Sequence, residues 1–228
     1  MNLKDNIARV RERMAVACGR CGRRPEEVTL IAVSKTVPAE RIRPAYEAGL
    51  RDFGENRVQE AKEKRPALAG LDITWHLIGH LQTNKVKPAR ELFQWVHSID
   101  SFRLAEKLDH AGEGRAARLP VLLEVNLGEE VTKFGAGEQE VIHLAEQVGR
   151  LPTLELRGLM VVPPYLENPE EVRPFFRRLR ELARTIESRN LPNVSMRELS
   201  MGMSHDFEVA IEEGATMVRV GTAIFGPR

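Results

Sequence analysis

Apolar positions along this chain follow two rhythms that alternate from end to end. Short unbroken runs such as Leu30-Ile31-Ala32-Val33 are separated by stretches where apolar side chains return every three or four residues among charged ones. An unbroken run bounded by turn residues reads as a strand covered on both faces, and the spaced pattern as a helix with one buried side. The first spaced stretch holds Leu3, Ile7, Val10, Met14 and Ala17 and predicts a helix ahead of any strand. Strands are expected over residues 28–35, 52–56, 73–79, 95–99, 119–127, 154–162, 196–201 and 217–220. Helices are expected between them over 38–49, 57–69, 84–92, 102–110, 138–148 and 170–188, and a last one closes at Gly214. Pro38 and Gly49 mark the ends of the first. Ser101 and Ser204 are the expected caps of two others, and Asp206 and Glu208 suit the positive end of the last.

Strands that alternate with helices in this way predict an α/β fold with a parallel sheet, and eight strands are the number that closes a (β/α)8 TIM barrel. The rival is an open doubly wound sheet, but no Gly-x-Gly-x-x-Gly follows the first strand. No linker or low-complexity segment divides the chain. We therefore expect a single domain over 1–228, with 1–27 as a helical extension packed on the barrel.

Composition narrows the function. The 228 residues are 42% hydrophobic and 29% charged, which suits a soluble protein with one sizeable core. A formal charge of +1 gives no electrostatic case for nucleic acid or a membrane surface. No apolar run approaches the ~20 residues that span a bilayer, and Met1 to Arg13 has no signal-peptide core, so a cytoplasmic location is expected. The only cysteines, Cys18 and Cys21, follow a helical stretch rather than a strand and have no histidine cluster to complete a zinc site, so they are expected as free thiols.

The chemistry collects at three strand ends. Lys35 closes the first strand, where its ammonium must be paired, reach solvent or lose its charge; a neutral amine can attack an aldehyde. A barrel of this kind places its site at the carboxyl ends of the strands and often grips a phosphate after strands seven and eight. Those ends carry Ser200-Met201-Gly202-Met203-Ser204 and Arg219-Val220-Gly221-Thr222, each with a glycine and a hydroxyl. In a closed barrel strand eight lies beside strand one, which brings Lys35 to this cradle. An amine beside a phosphate grip suits a phosphorylated aldehyde, with pyridoxal 5′-phosphate (PLP) as one candidate and a phosphosugar aldolase substrate as the other.

Five blocks carry a resemblance: Ala32-Val33-Ser34-Lys35-Thr36, Phe53-Gly54-Glu55-Asn56-Arg57-Val58-Gln59-Glu60, Trp75-His76-Leu77-Ile78-Gly79-His80-Leu81-Gln82-Thr83-Asn84-Lys85, Leu199-Ser200-Met201-Gly202-Met203-Ser204 and Val218-Arg219-Val220-Gly221-Thr222-Ala223-Ile224-Phe225-Gly226. In order and over nearly the whole chain they resemble the YggS/PROSC family of PLP homeostasis proteins, whose fold is like the N-terminal barrel of alanine racemase, PLP fold type III. The resemblance implies a PLP aldimine on Lys35, phosphate contacts from Ser200, Gly221 and Thr222, Arg219 at the pyridine nitrogen and Asn56 beside the ring. It implies a protein that holds the cofactor and supplies PLP-dependent apo-enzymes. An arginine is permanently charged and only donates, so it should leave the pyridine nitrogen unprotonated and weaken the ring as an electron sink. Without the resemblance, an ion pair of Arg219 with Glu198 or Glu124 would be equally expected.

The alternative is a racemase-like enzyme, which needs two bases on opposite faces of the substrate carbon. Lys35 offers one. In the racemases the second is a tyrosine of a separate C-terminal β domain, and here only Tyr46 and Tyr165 are present, of which Tyr165 alone follows a strand at the mouth. The chain ends soon after strand eight, so we expect no C-terminal β domain and a monomer. His76 and His80 are about 13 Å apart on an extended strand, too far to share a metal, and core or rim roles are expected. Ser204-His205-Asp206 spells a triad only in sequence. Arg177, Arg178 and Arg180 read as a solvated helix face. Lys133 resembles a further family position and could offer a second amine for cofactor transfer; Lys85 has no assigned task.

Overall fold

The computed structural model describes residues 2–128 and 134–227, so Lys133 lies outside the described residues. A long helix, α1 (Leu3–Arg20), precedes β1 (Thr29–Val33). There follow α2 (Ala39–Glu47), β2 (Asp52–Glu55), α3 (Val58–Lys64), β3 (Thr74–Leu77), α4 (Val86–Leu92), β4 (Trp95–Ile99), α5 (Phe102–His110) and β5 (Leu119–Val125). The second half runs α6 (Glu138–Val148), β6 (Leu154–Val161), α7 (Arg173–Glu187), β7 (Val194–Met203), α8 (Phe207–Glu212), β8 (Met217–Val220) and α9 (Thr222–Phe225). The strands pair in chain order, all parallel, and β8 pairs with β1 to close the barrel. The expected (β/α)8 architecture is the one found.

Boundaries shift where local chemistry demands it. β1 stops at Val33 because the chain turns over Lys35 and Thr36, the latter left-handed at φ 61°. The helix expected over 57–69 ends in a tighter turn at Arg65–Leu68, and the one expected over 170–188 begins with one at Pro169–Val172. Ser101 stands at the start of α5 but makes no capping bond; its hydroxyl goes to Asp100. Ser204 does not cap α8 either. That position falls to Asp206, whose carboxylate accepts from the Met203 N–H at 2.6 Å.

Strand side chains alternate between two environments. Those facing outward, such as Val121, Leu123 and Val125 of β5, join the main core beneath the helices. On α7 the residues Phe176, Leu179, Leu182, Ala183 and Ile186 repeat at helical spacing and are buried against the sheet. Facing inward, Ile31, Leu122, Met160 and Met217 form a small separate apolar cluster with Trp95 against it. A close approach joins β6 to β7: a Cβ on Gly158 would stand 1.8 Å from the Glu198 carbonyl oxygen.

The N-terminal helix lies over the last two helices. Asn6 donates to the Ile224 carbonyl at 2.9 Å, and Arg13 grips Glu208 at 2.6 and 2.9 Å. Arg177 and Arg178 of α7 are exposed, as the sequence predicts, Arg180 is half-buried, and all three are paired with carboxylates. Arg173, Arg177 and Arg180 converge on Glu213 at 3.2, 3.2 and 3.1 Å, and Arg178 pairs with Glu138. Cys18 and Cys21 are free thiols, with Cys18 buried and its thiol pKa pushed up by that burial. No helix among the described residues is long and apolar enough to cross a membrane.

Candidate functional site

Pairing of β1 with β8 sets Ala32 beside Val220. The two chains therefore leave the barrel together, one into the Ser34-Lys35-Thr36 turn and the other into Gly221-Thr222. This is the juxtaposition that the sequence predicts. Lys35 is half-buried there.

The turn is held on both sides of the lysine. Ser34 donates its hydroxyl to Glu55 at 2.6 Å, and the Thr36 N–H donates to the Glu60 carboxylate at 2.9 Å. Lys64 links these groups: its ammonium donates to the Ser34 carbonyl at 2.7 Å and to Glu55 at 2.8 Å, and lies 3.5 Å from Glu60. Burial raises the Glu55 pKa, opposed by the bonds from Lys64 and Ser34. The clamp fixes a left-handed threonine that would otherwise be costly.

Asn56 follows β2 directly and is half-buried. Its backbone lies so near β3 that a Cβ on Gly79 would stand 2.4 Å from the Asn56 carbonyl oxygen and 2.8 Å from its Cα. A glycine at 79 is what lets Asn56 sit there.

Across the barrel interior runs a continuous hydrogen-bonded chain. Arg219 of β8 is buried and donates to the Val161 carbonyl at 2.8 Å and to the Ser200 hydroxyl at 2.6 Å. Ser200 bonds His97 Nδ1 at 2.9 Å, His97 Nε2 bonds His76 Nδ1 at 3.0 Å, and His76 Nε2 bonds Asp52 at 3.0 Å. Burial lowers the pKa of both histidines, well below the usual range for His97, whose neighbours His76 and Arg219 add to the effect. Burial also brings Arg219 down to about 10, opposed by the charges of Glu124 and Asp206. Glu124 is pushed up to about 7 by burial and by Asp100, with Arg219 opposing. Arg219 makes no direct ion pair with Glu124 or Glu198; Glu198 instead accepts from the Thr216 hydroxyl at 2.7 Å.

Of the residues singled out for the phosphate, Gly221 and Thr222 are at the mouth, with Gly221 buried and Thr222 exposed at the start of α9. Ser200 lies deeper, in register with Met217, and its hydroxyl is engaged by Arg219 and His97. The hydroxyl that meets the Gly221 loop belongs to Ser204, which accepts from the N–H groups of Gly221 at 3.2 Å and Ala223 at 3.4 Å. His76 occupies the core and His80 the rim, where it bonds Asp100 at 3.2 Å and stacks on Phe134 at 3.9 Å. Tyr165 is 73% exposed, its ring 5.1 Å from His205. No cluster of three or more potential metal ligands occurs among the described residues.

The sequence does not single out Asp52 or His97, and it places Ser204 in the strand-seven segment and at a helix cap while Ser200 is the serine named for the phosphate. The available signal was the alternation Trp95-Val96-His97-Ser98-Ile99, which interleaves a polar ring with apolar neighbours inside a strand. Lys35 follows β1, the Gly221 loop follows the neighbouring β8, and the Arg219 guanidinium is buried in the barrel interior; an amine, backbone amides and a guanidinium are groups that suit a flat, anionic aldehyde.

The chain matches the family model of the alanine racemase N-terminal domain over residues 2–228. It is 49% identical over 228 residues to a pyridoxal phosphate homeostasis protein of Aquifex aeolicus, covering 100% of this chain and 99% of that protein. A Pseudomonas aeruginosa protein of the same description is 47% identical, with 99% of this chain and 96% of that protein covered. Among solved structures, PipY of Synechococcus elongatus with PLP bound superposes with a TM-score of 0.87 at 40% identity, covering 99% of this chain and 100% of the other. The chain therefore belongs to the pyridoxal phosphate homeostasis protein family, built on the alanine racemase N-terminal barrel.

Proposed function

We propose that this protein holds pyridoxal 5′-phosphate at the mouth of its barrel and supplies it to PLP-dependent apo-enzymes in the cytoplasm, acting as a monomer. Lys35 holds the cofactor as a Schiff base: its neutral Nζ bonds the aldehyde carbon and the carbonyl oxygen leaves as water. The clamp of Glu55, Glu60 and Lys64 keeps the lysine turn in place. Ser204, Gly221 and Thr222 hold the phosphate, so the role expected of Ser200 passes to the serine that faces the Gly221 loop. Arg219 lies toward the pyridine nitrogen and Asn56 beside the ring. When bound, PLP supplies a reactive aldehyde and an electron-withdrawing ring. A guanidinium beside the ring nitrogen cannot accept a proton from it, which favours storage over carbanion chemistry.

The observation that carries this reading is the pairing of β1 with β8, which seats the lysine turn beside the Gly221 loop directly above a buried arginine. Support comes from relatives that are described as PLP homeostasis proteins and from the PLP-bound PipY structure. The test is borohydride reduction of the PLP-treated protein, with peptide mapping of the label. Label on Lys35, lost in Lys35→Ala while the fold is retained, is expected; label elsewhere defeats the assignment. Transfer is tested by reactivation of an added apo-enzyme. Chiral analysis after incubation with single L-amino acids tests the racemase alternative, and substantial turnover would replace the carrier reading.

A further inference from the structure

The buried chain from Asp52 to Arg219 has a direction, and the direction follows from its ends. Arginine only donates, so the Ser200 hydroxyl oxygen accepts from Arg219 Nη1. Ser200 still has one proton to place. Among the described residues its only other partner is His97 Nδ1, so that nitrogen accepts and carries no proton. The proton of neutral His97 then sits on Nε2 and is donated to His76 Nδ1. His76 in turn carries its proton on Nε2 and donates it to the Asp52 carboxylate, which only accepts. Each donor in the chain meets an acceptor, and none is left unmatched. Charging His97 would put a proton on its Nδ1 and leave the Ser200 proton without an acceptor inside the barrel, and charging His76 would put a proton on its Nδ1 against the His97 Nε2–H. Burial of both rings opposes the charged form as well.

We propose that Asp52, His76, His97 and Ser200 are positioning residues that form a one-way hydrogen-bond relay, anchoring the Arg219 guanidinium from below and fixing the orientation it presents toward the mouth. The relay crosses the barrel from β2 through β3, β4 and β7 to β8, so it ties the arginine to the far wall. Asp52 lies at its outer end with 29% of its side chain exposed, whereas His76 is 1% exposed. The charged groups that face the arginine besides the relay are Glu124 and Asp206. The consequence for the cofactor rests on the function proposed above: a guanidinium held in one orientation keeps the ring nitrogen unprotonated.

Two measurements test it. The first uses the protein without cofactor. Long-range proton–nitrogen correlation spectra of histidine-labelled protein should show His76 and His97, identified by their loss in His76→Gln and His97→Gln, as neutral Nε2–H tautomers. Both should keep that form at neutral pH, because burial disfavours the charged rings. A proton on His97 Nδ1, or a charged ring at neutral pH, overturns the relay. The second uses PLP-loaded protein. His97→Leu breaks the chain, whereas His97→Gln keeps its direction, because the amide oxygen accepts from Ser200 and the amide nitrogen donates to His76. The absorption maximum of the bound cofactor and its pH dependence should shift in His97→Leu and return toward wild type in His97→Gln. An unshifted His97→Leu overturns the positioning role. If His97→Leu does not fold, Ser200→Ala with Ser200→Thr as its rescue makes the same comparison. If wild-type protein takes up no PLP, the proposed function fails, and the tautomer spectra still decide whether the relay exists.

Discussion

The outward face of the barrel wall carries Val121, Leu123 and Val125 of β5 and Val218 and Val220 of β8, all buried beneath helices. Its inward face, on the same strands and neighbouring ones, carries Glu124, Arg219, Ser200, His97 and His76. Both faces are buried, yet their energetics differ. Outside, stability comes from apolar area, which has no direction and forgives exchange of one aliphatic shape for another. Inside, each buried polar group requires a partner at a set position, and a single deletion leaves another group unmatched. The outer face holds the wall upright, and the inner face aims it.

The largest expected effect lies outside. Phe176→Ala on α7 removes a fully buried ring and should cost about 3–5 kcal/mol of unfolding free energy by urea denaturation. Borohydride labelling of Lys35 in the folded fraction should not change; a parallel loss of both would erase the distinction between the faces.

Inside, Glu124 sharpens the comparison through pH. Its carboxyl is raised from an ordinary 4.5 to about 7 in the folded protein, so between those values the folded state binds more protons than the unfolded one. The stabilisation is complete below the unfolded pKa and is lost as pH rises through about 7. The loss amounts to at most about 3 kcal/mol. Glu124→Gln should flatten that decline. If wild type and variant fall in parallel across the window, the assignment to Glu124 is wrong.

Gly79→Ala probes the mouth. The added Cβ must displace Asn56, at about 1–3 kcal/mol for an overpacked site. PLP retention should fall by more than stability alone explains, as measured by dialysis of loaded protein. The smallest effect belongs to the surface: Arg189→Ala breaks its 2.6 Å pair with Glu146, both partly exposed, and should change stability by less than about 1 kcal/mol.

Much of the architecture was legible because short-range rules govern it. Strand β4 and helix α6 begin and end at the expected residues, where Trp95 to Ile99 and Glu138 to Val148 each keep one periodicity to the end. Ser200 and Ser204 show where such rules stop. Between β7 and β8 the register slips, with Ser200 opposite Met217 but Met203 opposite Arg219, so three steps on one strand match two on the other. That bulge buries Ser200 in the interior and brings Ser204 to the Gly221 loop. Two serines of one short motif come to lie in different surroundings through a spacing that no local pattern records.

By itself the sequence determined the alternation of strands and helices, the lysine at a strand end and the glycine loop that follows strand eight. These depend on residues close together in the chain. The closed ring decided what lies across it: Asp52 reaches Arg219 through three side chains from three other strands. Hydrogen bonds of that kind depend on tenths of an ångström between segments far apart in the chain, and only the packed barrel sets those distances.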